Sequence, residues 1–103
     1  MRSNKSISEE SLEIMHILEK NPHLTQRQLS KETGSSIGKV NYCLKSLIDT
    51  GFIKMENFKN SNDKLKYAYI LTPKGIKQKI NVTKKYIEIK IQEYDKLKQY
   101  LEE

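Results

Sequence analysis

Residues 24–58 read LTQRQLSKETGSSIGKVNYCLKSLIDTGFIKMENF. Thr25 is placed to cap a helix, and Gln28, three positions on, completes the spacing of a capping box. Ser30 is a small residue where two helices can cross closely. Gly34 stands where the chain must turn sharply, and a left-handed backbone there costs glycine little. Ser35 or Ser36 can cap the helix that follows. In that helix Ile37, Val40, Leu44, Leu47 and Ile48 recur at helical spacing and predict one apolar, core-facing side. Gly51 stops it, and beyond it Ile53 and Met55 alternate with Lys54 and Glu56, the period of a half-buried strand. Helix, tight turn, longer helix and strand is the order of a helix-turn-helix that continues into a wing.

The flanks extend this reading in both directions. Upstream, Ser8, Glu9, Glu10 and Ser11 begin a helix, with acidic side chains in the first turn where the helix dipole favours them. Leu12, Ile14, Met15, Ile17 and Leu18 give it a wide apolar stripe, and Asn21-Pro22 ends it. Downstream, residues 58–64 (FKNSNDK) form a polar, turn-rich connection, and the return strand at residues 66–71 (KYAYIL) is aromatic and branched. A two-stranded ribbon with a basic, asparagine-rich tip is a wing; its bland alternative is a solvated hairpin loop. Thr72-Pro73 opens a last helix, with threonine as cap and proline where its missing N–H costs nothing. Ile80, Ile87, Tyr94 and Leu101 recur every seventh residue, with Ile76, Thr83 and Leu97 on the second seam position, Ile91 offset and Lys90 interrupting. That imperfect heptad pattern predicts pairing with a second copy of the chain, against the alternative of a helix folded back on its own domain. Asn81-Val82-Thr83 has poor helix propensity, which leaves a kink or break near Asn81 open.

Composition bounds the function. With 103 residues, 36% of them hydrophobic, the chain reads as one small domain with an appended helix. A net charge of +6 and a pI near 9.4 agree with an anionic partner, double-stranded DNA first of all. No apolar run approaches the roughly 20 residues that span a bilayer, and the polar first six residues are no signal peptide. The single cysteine, Cys43, forms no internal disulfide, and a cytoplasmic location with no membrane association is expected. His16 and His23 lack partners at ligand spacing, so neither a metal nor another cofactor is expected. The sequence shows no Gly-rich phosphate loop, nucleophile elbow or paired carboxylates, which argues against an enzyme.

At 100° per residue, Ser35, Lys39, Tyr42 and Ser46 fall opposite the predicted core side of the longer helix, with Gly38 and Lys45 flanking. Lys39 can donate to guanine or phosphate, and Tyr42 can pack on a thymine methyl or bond a phosphate. Ser35 and Ser36 sit at a helix N-terminus, where free N–H groups and hydroxyls suit a phosphate. Gly38, having no side chain, lets backbone approach DNA. Thr25, Gln26 and Arg27, at the start of the preceding helix, are candidate phosphate contacts, as are Lys59, Asn60 and Lys64 in the wing. Asn41 lies on the flank in a structural role, and Cys43 beside the reading face as a partly buried, inert thiol.

SSIGKVNYCLKSLIDTGFIK, the wing NFKNSNDK, YAYILTPKGI and the tail KIQEYDKL resemble the winged helix-turn-helix regulators of the MarR class, and within it the small subgroup of EPS-associated (exopolysaccharide-associated) MarR-family transcriptional regulators. The resemblance covers roughly residues 10–100. It implies a dimeric DNA-binding transcription factor whose second helix-turn-helix helix reads the major groove. Only about ten residues precede the first core helix, whereas larger members carry a long N-terminal helix that helps to build the dimer and often an effector pocket. Whether this chain has a small-molecule effector stays open. The expected fold is mainly α with a small β-wing: a winged helix-turn-helix over residues 7–72 and a long C-terminal dimerisation helix over residues 73–103. The dimer seam would hold Ile80, Thr83, Ile87, Ile91, Tyr94, Leu97 and Leu101. The expected function is sequence-specific DNA binding by a homodimer of repressor type on a palindromic site. The alternative is a winged helix that contacts protein and not DNA.

Overall fold

Each helix begins at a side chain able to satisfy its free N–H groups. In the computed structural model, which describes residues 7–59, 62 and 65–102, α1 (Glu9–Lys20) is capped by Ser8, whose hydroxyl accepts from the Ser11 N–H at 3.1 Å. A full capping box opens α2 (Gln26–Thr33): Thr25 Oγ1 accepts from the Gln28 N–H at 3.0 Å, and Gln28 Oε1 accepts from the Thr25 N–H at 2.8 Å. Ser36 caps α3 (Ile37–Asp49), and Thr72 caps α4 (Pro73–Gln99) with Pro73 as its first residue. Strands β1 (Ile53–Lys59) and β2 (Leu65–Leu71) pair antiparallel, from Ile53 opposite Leu71 to Lys59 opposite Leu65. A turn of 3₁₀-helix at Tyr100–Glu102 ends the described chain. The architecture is mostly helical, with a two-stranded wing and a long C-terminal helix, as expected.

The core forms where α1, α2, α3 and the base of the ribbon meet. Ile14, Met15 and Leu18 of α1 pack with Leu29 of α2, with Val40, Cys43, Leu44 and Leu47 of α3, and with Ile53, Tyr69 and Leu71 of the ribbon. Two residues depart from the predicted pattern. Ile37, assigned to the core side, is 44% exposed, and Cys43, placed beside the reading face, is buried. The inward face of α3 is therefore centred roughly 40° from where the leucine and isoleucine spacing put it, at 100° per residue. Met55 also departs: its alternation with Lys54 predicted burial, yet it is about half exposed. Met55 shares a face with Ile53 and stands opposite Tyr69, yet of that pair only Tyr69 is buried in the core. The loop before α2 braces the ribbon's other strand, as Pro22 O accepts from the Tyr69 N–H at 3.0 Å.

α4 is unbroken through Asn81-Val82-Thr83. Val82 packs against the core, and the Thr83 hydroxyl donates to Lys79 O at 2.6 Å, so tertiary packing overrides weak propensity. Two faces of this helix behave differently. One closes the domain through Gly75, Val82 and Tyr86, whose phenol donates to Ile7 O at 2.7 Å; ion pairs Lys79–Glu19 and Lys90–Glu9 flank it. The other, roughly 120° around the axis, carries Ile76, Ile80, Ile87, Ile91 and Tyr94, all 40% or more exposed. The helix thus folds back on its own domain along one face and leaves the other exposed. Its 27 residues run roughly 40 Å at 1.5 Å each, and they draw the molecule out to 65 × 31 × 22 Å.

The first turn of α4 is seated against the turn that ends α3. Gly51 there has φ +80°, and Phe52 O accepts from the Thr72 N–H at 3.0 Å. The Thr72 hydroxyl donates to Gly51 O at 2.6 Å, and Lys74 Nζ donates to Thr50 O at 3.1 Å. Gly75 is buried in this junction, where a Cβ would lie 1.9 Å from Phe52 O and 2.8 Å from its carbonyl carbon. Backbone cannot yield as a flexible side chain would. Gly75→Ala should therefore lower the unfolding free energy by about 3 kcal/mol, in the range of severe overpacking. Urea denaturation followed by circular dichroism checks this, and a loss under about 1 kcal/mol would contradict the tight seating.

Candidate nucleic-acid interface

The turn between α2 and α3 is closed by short-range bonds. Gly34 adopts φ +76° and its N–H donates to Ser30 O at 2.9 Å, while the Ser30 hydroxyl donates to Ser35 O. Thr33 Oγ1 donates to Leu29 O at 2.9 Å and accepts from the Ser35 N–H at 3.2 Å. These bonds set α3 at a defined angle to α2. With Val40, Cys43, Leu44 and Leu47 turned inward, the solvent face of α3 is formed by Ile37, Gly38, Tyr42 and Lys45, with exposed Asp49 at its last turn, and Tyr42 is 71% exposed.

The other candidates are distributed less evenly. Lys39 lies on the flank, its Nζ 4.0 Å from a Glu10 carboxylate oxygen across the gap to α1, with both side chains about half exposed. Ser35 is half-buried with its backbone engaged in the turn, and the Ser36 hydroxyl accepts from the Lys39 N–H at 3.0 Å. Ser46 is half-buried, and its carbonyl accepts from both the N–H and the hydroxyl of Thr50 at 3.0 Å. Arg27 is exposed in the first turn of α2. Thr25 serves as the cap. Gln26 is held from both ends: its Oε1 accepts from Asn41 Nδ2 at 3.3 Å, and its Nε2 donates to the Tyr69 hydroxyl at 3.3 Å. The chain Asn41–Gln26–Tyr69 joins α3, α2 and the wing, so Asn41 is structural through the Gln26 side chain and not through backbone near the turn, and Gln26 shares that role.

In the wing, Lys59 is exposed at the end of β1, while Asn60 and Lys64 lie outside the described residues. The His23 ring meets Phe58 edge to face, 4.8 Å between centroids, holding the outer end of β1 to the loop before α2. A groove of about 580 Å³ runs between the start of α2 and β2, lined by Thr25, Gln26, Gln28, Lys66, Tyr67 and neighbouring residues. Lys66 and Ile37 are the residues missed as candidates. Strand register could have found Lys66, since it stands opposite Phe58, but only the packing of α1 on α3 shows that Ile37 is uncovered.

Residues 9–54 match the family model described as winged helix-turn-helix DNA-binding. Among solved structures, the Zn(II)-bound form of AdcR, a zinc-dependent MarR-family transcriptional regulator, is similar with a TM-score of 0.61 and 21% identity over 93% of this chain and 63% of that one. MepR, a transcription regulator of the Staphylococcus aureus multidrug efflux pump MepA, is similar with a TM-score of 0.62 and 20% identity over 92% and 75%. A variant of S. aureus MepR bound to an oligodeoxyribonucleotide is similar with a TM-score of 0.60 and 19% identity over 91% and 74%. The chain spans less than two thirds of the length of AdcR. A comparison with curated protein sequences gave no match. The fold is therefore the winged helix of MarR-family regulators. Among the described residues no three His, Cys, Asp or Glu side chains are grouped to hold a metal ion, and no helix is long and apolar enough to cross a membrane.

Cys43 is 2% exposed and packed in the core, so a thiol reagent should reach it only when the domain opens. Labelling of the native protein should be slower than in urea by orders of magnitude. Cys43→Ser should cost about 1–3 kcal/mol of stability, by burying a hydroxyl in an apolar site. Rapid labelling of native protein, with unchanged stability of the serine variant, would show the thiol to be accessible.

Proposed function

We propose that this chain is a sequence-specific, double-stranded-DNA-binding transcriptional regulator of repressor type, acting as a homodimer on a palindromic site. The supporting observation is the solvent face of α3. A capped, hydrogen-bonded turn and a buried opposite side present Ile37, Gly38, Tyr42 and Lys45 together, on a chain of net charge +6. This is the helix that enters the major groove in helix-turn-helix proteins. The oligodeoxyribonucleotide bound to the MepR variant accords with the same use of the fold. Residues 7–72 form the DNA-binding unit in this reading, and residues 73–103 the dimerisation helix. The resemblance of the residue pattern SSIGKVNYCLKSLIDTGFIK to the EPS-associated subgroup supports exopolysaccharide genes as the class of target in this reading.

Within this reading Tyr42 and Lys45 contact DNA directly, Lys39 contributes from the flank, and Arg27 and Lys59 bind phosphates. Ser35, Ser36, Thr25 and Gln26 hold the frame, leaving backbone N–H groups for the phosphates. Selection of retained fragments from a genomic pool, followed by titration across salt concentrations, tests the function. DNA affinity should fall steeply with salt as counterions are released, whereas a protein-contacting winged helix would retain no duplex. Tyr42→Ala and Lys45→Ala should each weaken the selected site by roughly 1–3 kcal/mol without altering the fold. Unchanged affinity in the double variant would refute the assignment of α3.

The exposed stripe of α4, continued into the 3₁₀ turn after it, supplies the proposed dimer seam: Ile80, Ile87, Ile91, Tyr94, Leu97 and Leu101 are each 51% or more exposed, with half-buried Thr83 on the flank toward α1. Two recognition helices must stand about 34 Å apart to enter successive major grooves on one face of B-DNA. A helix of roughly 40 Å leaving each wing is long enough to set that distance. Ile87→Asp would place a charge in the seam and should give a folded monomer at micromolar concentration. Its affinity for the palindrome should fall by orders of magnitude while half-site contacts survive. Light scattering with a binding titration decides this; a persisting dimer, or a monomer that binds as tightly as the unaltered protein, refutes the coupling.

A further inference from the structure

Three of the four glycines are accounted for within the chain. Gly34 and Gly51 have positive φ, and Gly75 has Phe52 backbone where its Cβ would be. Gly38 is different. It lies in the first turn of α3 with helical dihedrals, and a Cβ built there meets nothing nearer than the Ser36 hydroxyl at 4.0 Å. Glycine weakens a helix relative to alanine, so an unforced helical glycine lowers stability with no return inside the molecule. The residue before it presents the opposite anomaly. Ile37 is a large branched side chain, 44% exposed and outside the core cluster, at the start of a helix whose other face is well packed. One residue lacks a side chain that the chain would accommodate, and its neighbour exposes an apolar one that the chain does not cover. Both conditions are met by a surface that comes close to the backbone at Gly38 and is apolar where Ile37 reaches it.

Resting on the proposed reading of DNA by α3, we infer that Ile37 and Gly38 form the base-reading corner of the helix and select a thymine in each half-site. Gly38 lets the first turn of α3 sit a methyl's width deeper in the major groove than alanine would. At that depth the Ile37 side chain covers the C5-methyl of a thymine, the one apolar group that base pairs present in the major groove. Tyr42, one turn further along the same face, and Lys45 then meet the neighbouring edges and phosphates. The choice of a thymine is thus made by the apolar side chain, and the polar residues fix register.

Replacing thymine by deoxyuridine in the selected duplex removes the methyl and leaves base pairing intact. For the unaltered protein, one thymine per half-site should be sensitive, with a loss of roughly fourfold per half-site, the value of one buried methyl. Ile37→Ala should bind more weakly and no longer distinguish thymine from deoxyuridine at that position, and Ile37→Val should retain part of the distinction. Gly38→Ala should raise the melting temperature of the free protein yet lower affinity for the site by roughly tenfold or more, within the range of a lost base contact. Gly38→Ala binding as tightly as the unaltered protein, or Ile37→Ala keeping full discrimination, overturns the inference while DNA binding stands. Failure of the unaltered protein to retain any duplex in a salt-dependent manner overturns the DNA-binding reading itself.

Discussion

The approach of Gly75 to the carbonyl of Phe52 governs how the two parts of this molecule are joined. No side chain fits between them, so the first turn of α4 lies directly on the turn that ends α3. Thr72 reinforces the contact through three bonds, donating its N–H to Phe52 O and its hydroxyl to Gly51 O, and accepting from the Gly75 N–H. Lys74 reaches back to Thr50 O and lies 5.3 Å from the centre of the Phe52 ring. A long helix held at one end by backbone contacts cannot change its angle to α3 without breaking several bonds together. Its far end therefore reports the orientation of α3, which is the geometric condition for a tail helix to set the spacing of two reading heads.

α4 meets the domain a second time along α1. Val82 enters the core and Tyr86 bonds the backbone of Ile7, while Lys79 and Lys90 pair with glutamates of α1. The ion pairs are partly or largely exposed and contribute little net stability; the buried valine and the phenol's bond carry more. Between this closing face and the exposed stripe lies a groove of about 340 Å³ lined by Thr83, Tyr86, Ile87, Ile91 and Tyr94. A partner helix laid on the stripe would cover one side of that groove. The stripe proposed to pair two chains and the surface that closes one domain thus share residues at their border.

α3 shows how neighbouring helices reassign a helix face. Its apolar residues span more of the circumference than the core can cover, so several orientations satisfy the spacing of leucine, isoleucine and valine alone. Cys43 goes inward, into the cluster that also holds Ile14, Met15 and Leu18 of α1, and Ile37 is left outside that cluster. The solvent face turns accordingly, bringing Gly38 and Lys45 toward its middle and moving Lys39 to the flank beside Glu10.

Helix starts, the tight turn and the order of elements were legible in the residues because capping and turn formation are local. Ser8, Thr25 with Gln28, Gly34, Ser36 and Thr72-Pro73 each satisfy groups within a few positions of themselves, and each stands where its type predicts. The heptad spacing of the tail likewise marked the stripe found exposed on α4. What depended on covering surfaces was not legible. Alternation placed Met55 on a face but could not show that its cross-strand neighbour Tyr69 would be covered and Met55 not, and weak propensity at Asn81-Val82-Thr83 could not show that Val82 would be packed. The exposure of Ile37, the burial of Cys43 and the need for glycine at position 75 arise from residues distant in the chain that meet only on folding. A single residue's chemistry is enough to begin or end a helix, whereas burial is a property of the neighbours that the whole fold supplies.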